Sequence, residues 1–254
     1  MKILFIGDIF GKPGRDVAHR AIPALTALHG LDLVIANVEN SAAGFGVTGD
    51  IAETILGFGV DVMTSGNHIW DKKEVLEYIP RQPKLLRPAN FPAGVPGRGT
   101  WLGQTRTGEP VAVINVMGRV FMAPLDDPFA VVLREIEAVR ARARVIIVDF
   151  HAEATSEKAA MGWHLDGRVT AIFGTHTHVQ TADERLLPKG TAYLTDVGMT
   201  GPHDSIIGVT VEAASGPARL NAIIITADPA SGKALAIERL NLSAQEVAAL
   251  AQHV

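Results

Sequence analysis

The sequence predicts an α/β fold built on a mixed β-sheet, and three observations support this. Short apolar runs rich in β-branched residues recur along the 254-residue chain, and their near-continuous hydrophobicity is typical of strands covered on both faces. Helical periodicity lies between several of the early runs, which favours parallel pairing of those strands. The later runs follow one another without a helix between them, which favours antiparallel pairing.

The predicted strands form an early parallel set and a later antiparallel set. The early set comprises residues 2–8, 33–40, 60–68, 111–118, 145–151 and 171–178. The later set comprises residues 191–198, 208–214 and 220–228. Strands of the same kind resume after the Pro/Gly-rich stretch at 87–100, so that stretch is interpreted as a surface loop and residues 1–254 as a single domain.

Three helices are predicted between and after these strands. The first covers residues 14–28, with an apolar stripe formed by Val17, Ala21, Leu25 and Leu28. The second covers residues 50–57. The third begins at residue 244, where Ser243 and Glu246 have the spacing of a capping box.

Composition excludes several classes of protein. With a formal net charge of −4, the chain lacks the basic surface that a general nucleic-acid binder needs. Its first apolar run is too short for a signal peptide and no run is long enough to span a membrane, so a cytoplasmic protein is expected. Because there is no cysteine, a metal site must use His, Asp, Glu and Asn side chains. The apolar composition favours a homo-oligomer with a buried interface.

Polar side chains follow the predicted strands at the points where they end. They are Asp8, Glu39, Asn40, Asn67, His68, His151, His176 and His178. Loops at the carboxyl ends of strands form the ligand crevice of open α/β sheets, so these side chains are expected to converge. Three imidazoles, two carboxylates and an amide are too many ligands for one ion with an open position, and they suit two ions that share a carboxylate.

The segment THTH contains two histidines one residue apart. On an extended segment, His176 and His178 would point in one direction and Thr177 in the other. That arrangement suits metal coordination, although an isolated pair of this kind is equally compatible with a polar strand end that carries two solvated histidines.

The ordered motifs resemble those of the calcineurin-like metallophosphoesterases, and most closely their YmdB-like branch of bacterial cyclic-nucleotide phosphodiesterases. The motifs are GDIFG at 7–11, NVEN at 37–40, GNHIW at 66–70, FHAE at 150–153 and GTHTH at 174–178. Two departures from the superfamily pattern, Phe10 in place of a histidine and Glu39 in place of a bridging aspartate, are what the YmdB-like branch implies. The resemblance implies an α/β/β/α sandwich of the metallophosphoesterase type.

The same resemblance implies roles for the candidate site residues. One metal would be held by Asp8, Glu39 and His178, and a second by Glu39, Asn67, His151 and His176. Asn40 would contact the phosphate or the first metal, and His68 would be the general acid. The implied activity is hydrolysis of small 2′,3′- or 3′,5′-cyclic nucleotides by a metal-activated hydroxide. Iron or manganese is expected, with zinc as an alternative, since mixed nitrogen and oxygen ligands suit all three.

Two other functions compete with this interpretation. Residues 44–49, GFGVTG, match a dinucleotide-binding fingerprint, but the segment ENSAA separates these glycines from the preceding strand. A catalytically weak scaffold that binds a protein partner would be expected to lack the acid or a ligand, and here every one is present. The sequence assigns no role to His203.

Overall fold

The structure, a computed structural model, describes residues 1–203, 216–250 and 252. The strands are Lys2–Ile6 (β1), Asp8–Ile9 (β2), Leu33–Asn37 (β3), Val62–Thr64 (β4), Thr100–Gln104 (β5), Pro110–Met117 (β6), Val145–His151 (β7), Ala171–Thr175 (β8), Arg185–Leu186 (β9), Ala192–Leu194 (β10), Met199–Pro202 (β11), Ala218–Ala227 (β12) and Ala234–Ser243 (β13). The helices are Gly11–His29 (α1), Gly49–Gly57 (α2), Val75–Tyr78 (α3), Pro128–Arg140 (α4), Thr155–Leu165 (α5) and Ala244–Leu250 (α6).

These strands form two mixed sheets, which confirms the α/β class. In the first sheet the order is β2-β11-β12-β1-β3-β4, with β13 paired to β12. Strands β1, β3 and β4 run parallel, and β12 runs antiparallel to β1. In the second sheet the order is β5-β6-β7-β8-β10-β9, with a parallel centre from β6 to β10 and antiparallel strands at both edges.

The two sheets pack face to face, and helices cover both outer faces. A central core joins the sheets, as in the contact between the rings of Phe5 and Phe173, whose centroids lie 4.2 Å apart. Side chains of α1, α2 and α6 pack on the outside of the first sheet. Those of α4 and α5 pack on the outside of the second. Sheets with buried residues on both faces need cover on both sides, so the layers are α/β/β/α.

The first helix differs from its prediction at the carboxyl end. Val17, Ala21 and Leu25 are buried as the stripe predicted, but Leu28 is 59% exposed. No residue from 26 to 30 is buried. The last turn of α1 therefore extends beyond the core, and the Leu28 side chain is not packed in it.

The later strands correct one prediction of pairing. Ala192–Leu194 is antiparallel only to the short strand Arg185–Leu186 and runs parallel to Ala171–Thr175. Residues 176–191 are long enough to make that parallel connection without a helix. The strand predicted at 220–228 is antiparallel, as expected. The run at 208–214 lies outside the described residues.

The described ranges contain no helix that is both long and apolar enough to cross a membrane. The predicted loop at 87–100 contains no helix or extended strand up to Gly99, and Thr100 begins β5. It is not wholly a surface loop, because Arg87 and Asn90 are buried. The single-domain interpretation, the homo-oligomeric state and the cytoplasmic location stay predictions.

Candidate metal centre

The eight side chains singled out in the sequence lie together where strands of both sheets end. Asp8 belongs to β2, and Glu39 and Asn40 follow β3. Asn67 and His68 follow β4, His151 is the last residue of β7, and both remaining histidines follow β8. Parallel strands present their carboxyl ends at one edge, so two facing sheets bring these loops to one crevice.

One group of donor atoms surrounds the Nε2 atom of His151. Glu39 Oε1 lies 3.0 Å from it, Asn67 Oδ1 2.9 Å and His176 Nδ1 3.1 Å. One donor atom each from Glu39, His151 and His176 lies within 4.8 Å of the others. A single ring nitrogen cannot satisfy three partners, whereas a cation at their centre can. The donor set therefore fits a metal ion.

A second group also contacts Glu39. His178 Nε2 is 3.8 Å from Asp8 Oδ1 and 3.1 Å from Asn40 Nδ2. Asn40 Nδ2 is also 3.5 Å from Glu39 Oε1, so Glu39 contacts both groups. Asp8 Oδ1 is buried and has no hydrogen-bond partner among the described residues. An unsatisfied buried acceptor costs on the order of 1–3 kcal/mol, and a cation at this position would remove that cost.

Burial and neighbouring charges perturb the pKa values of the central pair. Burial would lower the pKa of His151, but the carboxylates of Glu39, Asp8 and Asp149 outweigh it and raise that pKa to about 9. Burial would raise the pKa of Glu39, and the attraction of His151 instead lowers it to about 2. Without a cation, the proton on His151 thus supplies the positive charge that Glu39 needs.

The other ligand candidates are held in different protonation states. Burial, reinforced by the charge on His151, lowers the pKa of His176 to about 3. Burial likewise lowers the pKa of His178 to about 4, so both rings are neutral and able to bind metal near pH 7. Burial raises the pKa of Asp8 well above its ordinary value, and a bound cation would favour its charged form.

Partners outside the donor groups orient the rings. His151 Nδ1 donates to Thr175 Oγ1 at 2.9 Å, and that hydroxyl donates to Asp149 Oδ1 at 2.8 Å. His176 Nε2 lies 3.1 Å from Glu153 Oε2. Imidazoles that bind metal usually donate their second nitrogen in this way. Asp149, which the sequence interpretation left out of the ligand set, thus lies behind a ligand candidate.

The segment THTH is not extended, so the geometric argument for its histidines was wrong. Strand β8 ends at Thr175, and the φ angles of His176 and His178 are +99° and +64°. Both rings still reach the site, because a turn directs them there and not the alternation of a strand. Thr177 points away from the donor groups, toward Asp196.

His68 lies at the edge of the donor groups, in an open pocket of about 650 Å³. Its Nδ1 is 2.8 Å from Asp71 Oδ2, which leaves Nε2 as the nitrogen available to a substrate. The ring of Phe45 meets the ring of His68 edge-on, with centroids 5.2 Å apart. Asp71 was not predicted from the sequence. Its position three residues after the candidate general acid was the signal that could have identified it.

The loop at residues 44–49, GFGVTG, lies beside this pocket. Gly44 and Gly46 have φ angles of +97° and +78°, which present Phe45 to the pocket. Residues 38–43 separate the end of β3 at Asn37 from Gly44, whereas in a dinucleotide fingerprint the glycines directly follow the strand. His203 also lines the pocket, and its Nε2 donates to the carbonyl oxygen of Met199 at 2.9 Å.

Comparisons with known proteins agree with the motif order. Residues 4–240 match the family described as YmdB-like protein. The chain is 48% identical, over 255 residues, to the 2′,3′-cyclic-nucleotide 2′-phosphodiesterase of Bacillus subtilis (strain 168), covering 94% of this chain and 96% of that protein.

Two crystal structures have the same fold. A hypothetical protein from Thermus thermophilus superposes with a TM-score of 0.88 and 41% identity, over 96% of this chain and 99% of that chain. A novel phosphatase from Mycoplasma pneumoniae superposes with a TM-score of 0.87 and 34% identity, over 96% and 93%. Since the family match covers nearly the whole chain and its relatives align along most of their length, this chain belongs to the YmdB-like family, as the resemblance predicted.

Proposed function

We propose that this protein is a phosphodiesterase that hydrolyses 2′,3′-cyclic nucleotides with the help of two divalent metal ions. The observation that carries the proposal is the pair of donor groups that both contact Glu39 Oε1. The activity named for the Bacillus subtilis relative supports the substrate class. Iron or manganese is the expected metal, with zinc as an alternative, and 3′,5′-cyclic nucleotides are the competing substrates.

The ligand sets follow the two groups. Asp8, Glu39 and His178 would hold one ion. Glu39, Asn67, His151 and His176 would hold the other. When bound, two such ions supply positive charge and Lewis acidity for phosphoryl transfer. This chain has a net charge of −4, so that local positive charge is what would attract an anionic phosphodiester.

The remaining polar residues bind substrate and move a proton. Asn40 Nδ2, which lies 3.1 Å from His178 Nε2 in the second group, would donate to a phosphoryl oxygen. His68 would hold a proton on Nε2 and give it to the ribose oxygen that leaves when the cyclic diester opens. Asp71 accepts from Nδ1 and so fixes the ring orientation. The pocket of about 650 Å³ has room for a mononucleotide.

A panel of cyclic nucleotides tests the proposal. The protein is stripped of metal, reconstituted with Fe²⁺, Mn²⁺ or Zn²⁺, and assayed on 2′,3′- and 3′,5′-cyclic substrates. His68→Ala is expected to lose on the order of 10²–10⁴ in kcat, the usual contribution of a general acid. His19→Ala, on the exposed face of α1, is the matched control and is expected to match the wild type.

The outcome also separates this proposal from the scaffold hypothesis. Metal-dependent opening of 2′,3′-cyclic substrates, lost on chelation, is the expected result. Equal and negligible turnover by the wild type and His68→Ala on every substrate would favour a scaffold that binds a protein partner.

A further inference from the structure

A buried ion pair lies directly behind the turn that carries the last two ligand candidates. Lys158 Nζ, from α5, is 2.6 Å from Asp196 Oδ2, and the two side chains are 2% and 1% exposed. Neither residue belongs to the donor groups. A buried pair gains little net stability, because the cost of desolvating both charges offsets much of their attraction. The role of this ion pair is therefore better inferred from the groups it contacts than from its contribution to stability.

The Asp196 carboxylate binds the middle residue of the turn twice. Its Oδ2 accepts from the backbone N–H of Thr177 at 3.2 Å and from the Thr177 hydroxyl at 2.8 Å. Its Oδ1 accepts from the N–H of Gly198 at 2.7 Å. The carboxylate is thus itself held from several sides, and it fixes both the backbone and the side chain of Thr177.

The turn needs such an anchor because its backbone is strained. His176 and His178, on either side of Thr177, both have positive φ angles that residues other than glycine rarely adopt. Conformations of this kind persist at functional sites only where surrounding contacts hold them. The two bonds from Thr177 to Asp196 lie between the two strained residues.

Gly174 explains how Lys158 reaches this position. A Cβ atom on Gly174 would lie 2.8 Å from Lys158 Cδ and Cε, and 2.0 Å from the carbonyl oxygen of Thr195. Only glycine at this point of β8 leaves room for the lysine side chain to pass across the strand. The glycine of the GTHTH motif thus serves the same ion pair.

We propose that Asp196, paired with Lys158, is a positioning residue that fixes Thr177 and thereby directs His176 and His178 to two different metal ions. This inference rests on the proposed function, since it assumes that both histidines bind metal. Asp196 touches neither substrate nor metal, and it acts through Thr177.

Variants of Thr177 test the inference without breaking the ion pair. Changing Asp196 would leave Lys158 buried without a partner and could unfold the protein. Thr177→Val removes the hydroxyl and keeps the shape, whereas Thr177→Ser keeps the hydroxyl. Thr181→Val is the matched control, because the Thr181 hydroxyl bonds backbone atoms of Asp196 and not its carboxylate.

Mn²⁺ affinity is measured by competition with a chelating dye, alongside the melting temperature of the metal-free protein and kcat and KM. Thr177→Val is expected to lose about 10–100-fold in Mn²⁺ affinity, as ligand-orienting partners do. Thr177→Ser is expected to restore it to within about threefold of the wild type. Thr181→Val is expected to lower the melting temperature and keep the affinity.

Wild-type Mn²⁺ affinity in Thr177→Val overturns the inference, even if that variant melts at a lower temperature, because the contact would then be only structural. If the wild type binds Mn²⁺ and hydrolyses cyclic nucleotides while Thr177→Val matches it, the positioning role alone fails. If the wild type binds none of Mn²⁺, Fe²⁺ and Zn²⁺, the proposed function fails, and the positioning role fails with it.

Discussion

Gly66, which precedes two of the site residues, gives the sharpest test of the metal centre. A Cβ atom at this position would lie 2.1 Å from both Cδ2 and Nε2 of His151. Ordinary carbon contacts lie at about 3.5–4.0 Å, so Gly66→Ala forces the ring or the loop to move by roughly 1.5 Å. The affected Nε2 is the atom at the centre of the first donor group.

We expect Gly66→Ala to lose metal at this group and to fall about 100-fold or more in kcat/KM, since a 1 Å misplacement already costs that much. Overpacking is expected to reduce the free energy of unfolding by about 1–3 kcal/mol. Elemental analysis, cyclic-nucleotide hydrolysis and denaturant unfolding measure the three effects.

Gly57→Ala is the matched control for this change. A Cβ atom on Gly57, at the end of α2, would have no neighbour within 4 Å, so the same substitution is expected to leave metal content and activity unchanged. A Gly66→Ala protein with wild-type metal content and kcat/KM would refute the placement of His151 at the metal centre.

Two further predictions concern protons. Asp71→Asn is expected to lower kcat about 10-fold or more with little change in KM, because the His68 ring loses the carboxylate that orients it. Steady-state kinetics measure kcat and KM separately, and equal effects on both constants would contradict this prediction. Burial lowers the pKa of His151, but the nearby carboxylates outweigh burial and raise that pKa to about 9. Because His151 must lose its proton to bind metal, metal affinity is expected to fall about tenfold per pH unit below 9. Calorimetry in buffers of different ionisation enthalpy measures the released proton, and an affinity that is independent of pH between about 6 and 8 would argue against this.

The sequence predicted the buried central strands best. The apolar run at 145–151 coincides with β7, because a central parallel strand is buried on both faces. Two elements that it missed have weaker patterns. In β13, charged and apolar residues mix along an edge strand. In α5, the buried Lys158 interrupts the apolar stripe by which a helix is recognised.

The candidate site was predictable for a similar reason and within similar limits. Polar residues at the ends of buried strands stand out in a sequence, so Asp8, Glu39 and His151 could be singled out. The turn at His176 could not, because its positive φ depends on contacts with residues far along the chain. The ion pair between Lys158 and Asp196 joins residues 38 positions apart, so no local sequence pattern predicts it.

The metal content of single-histidine variants tests the central claim most directly. Wild type, His176→Ala, His178→Ala and the double variant are reconstituted with Mn²⁺, freed of excess metal and measured by elemental analysis. We expect two ions per chain in the wild type, with each variant losing a different one, so that the double variant loses both. Metal content well below one ion per chain in the reconstituted wild type, or loss of the same ion in both variants, would contradict a centre of two ions bridged by Glu39.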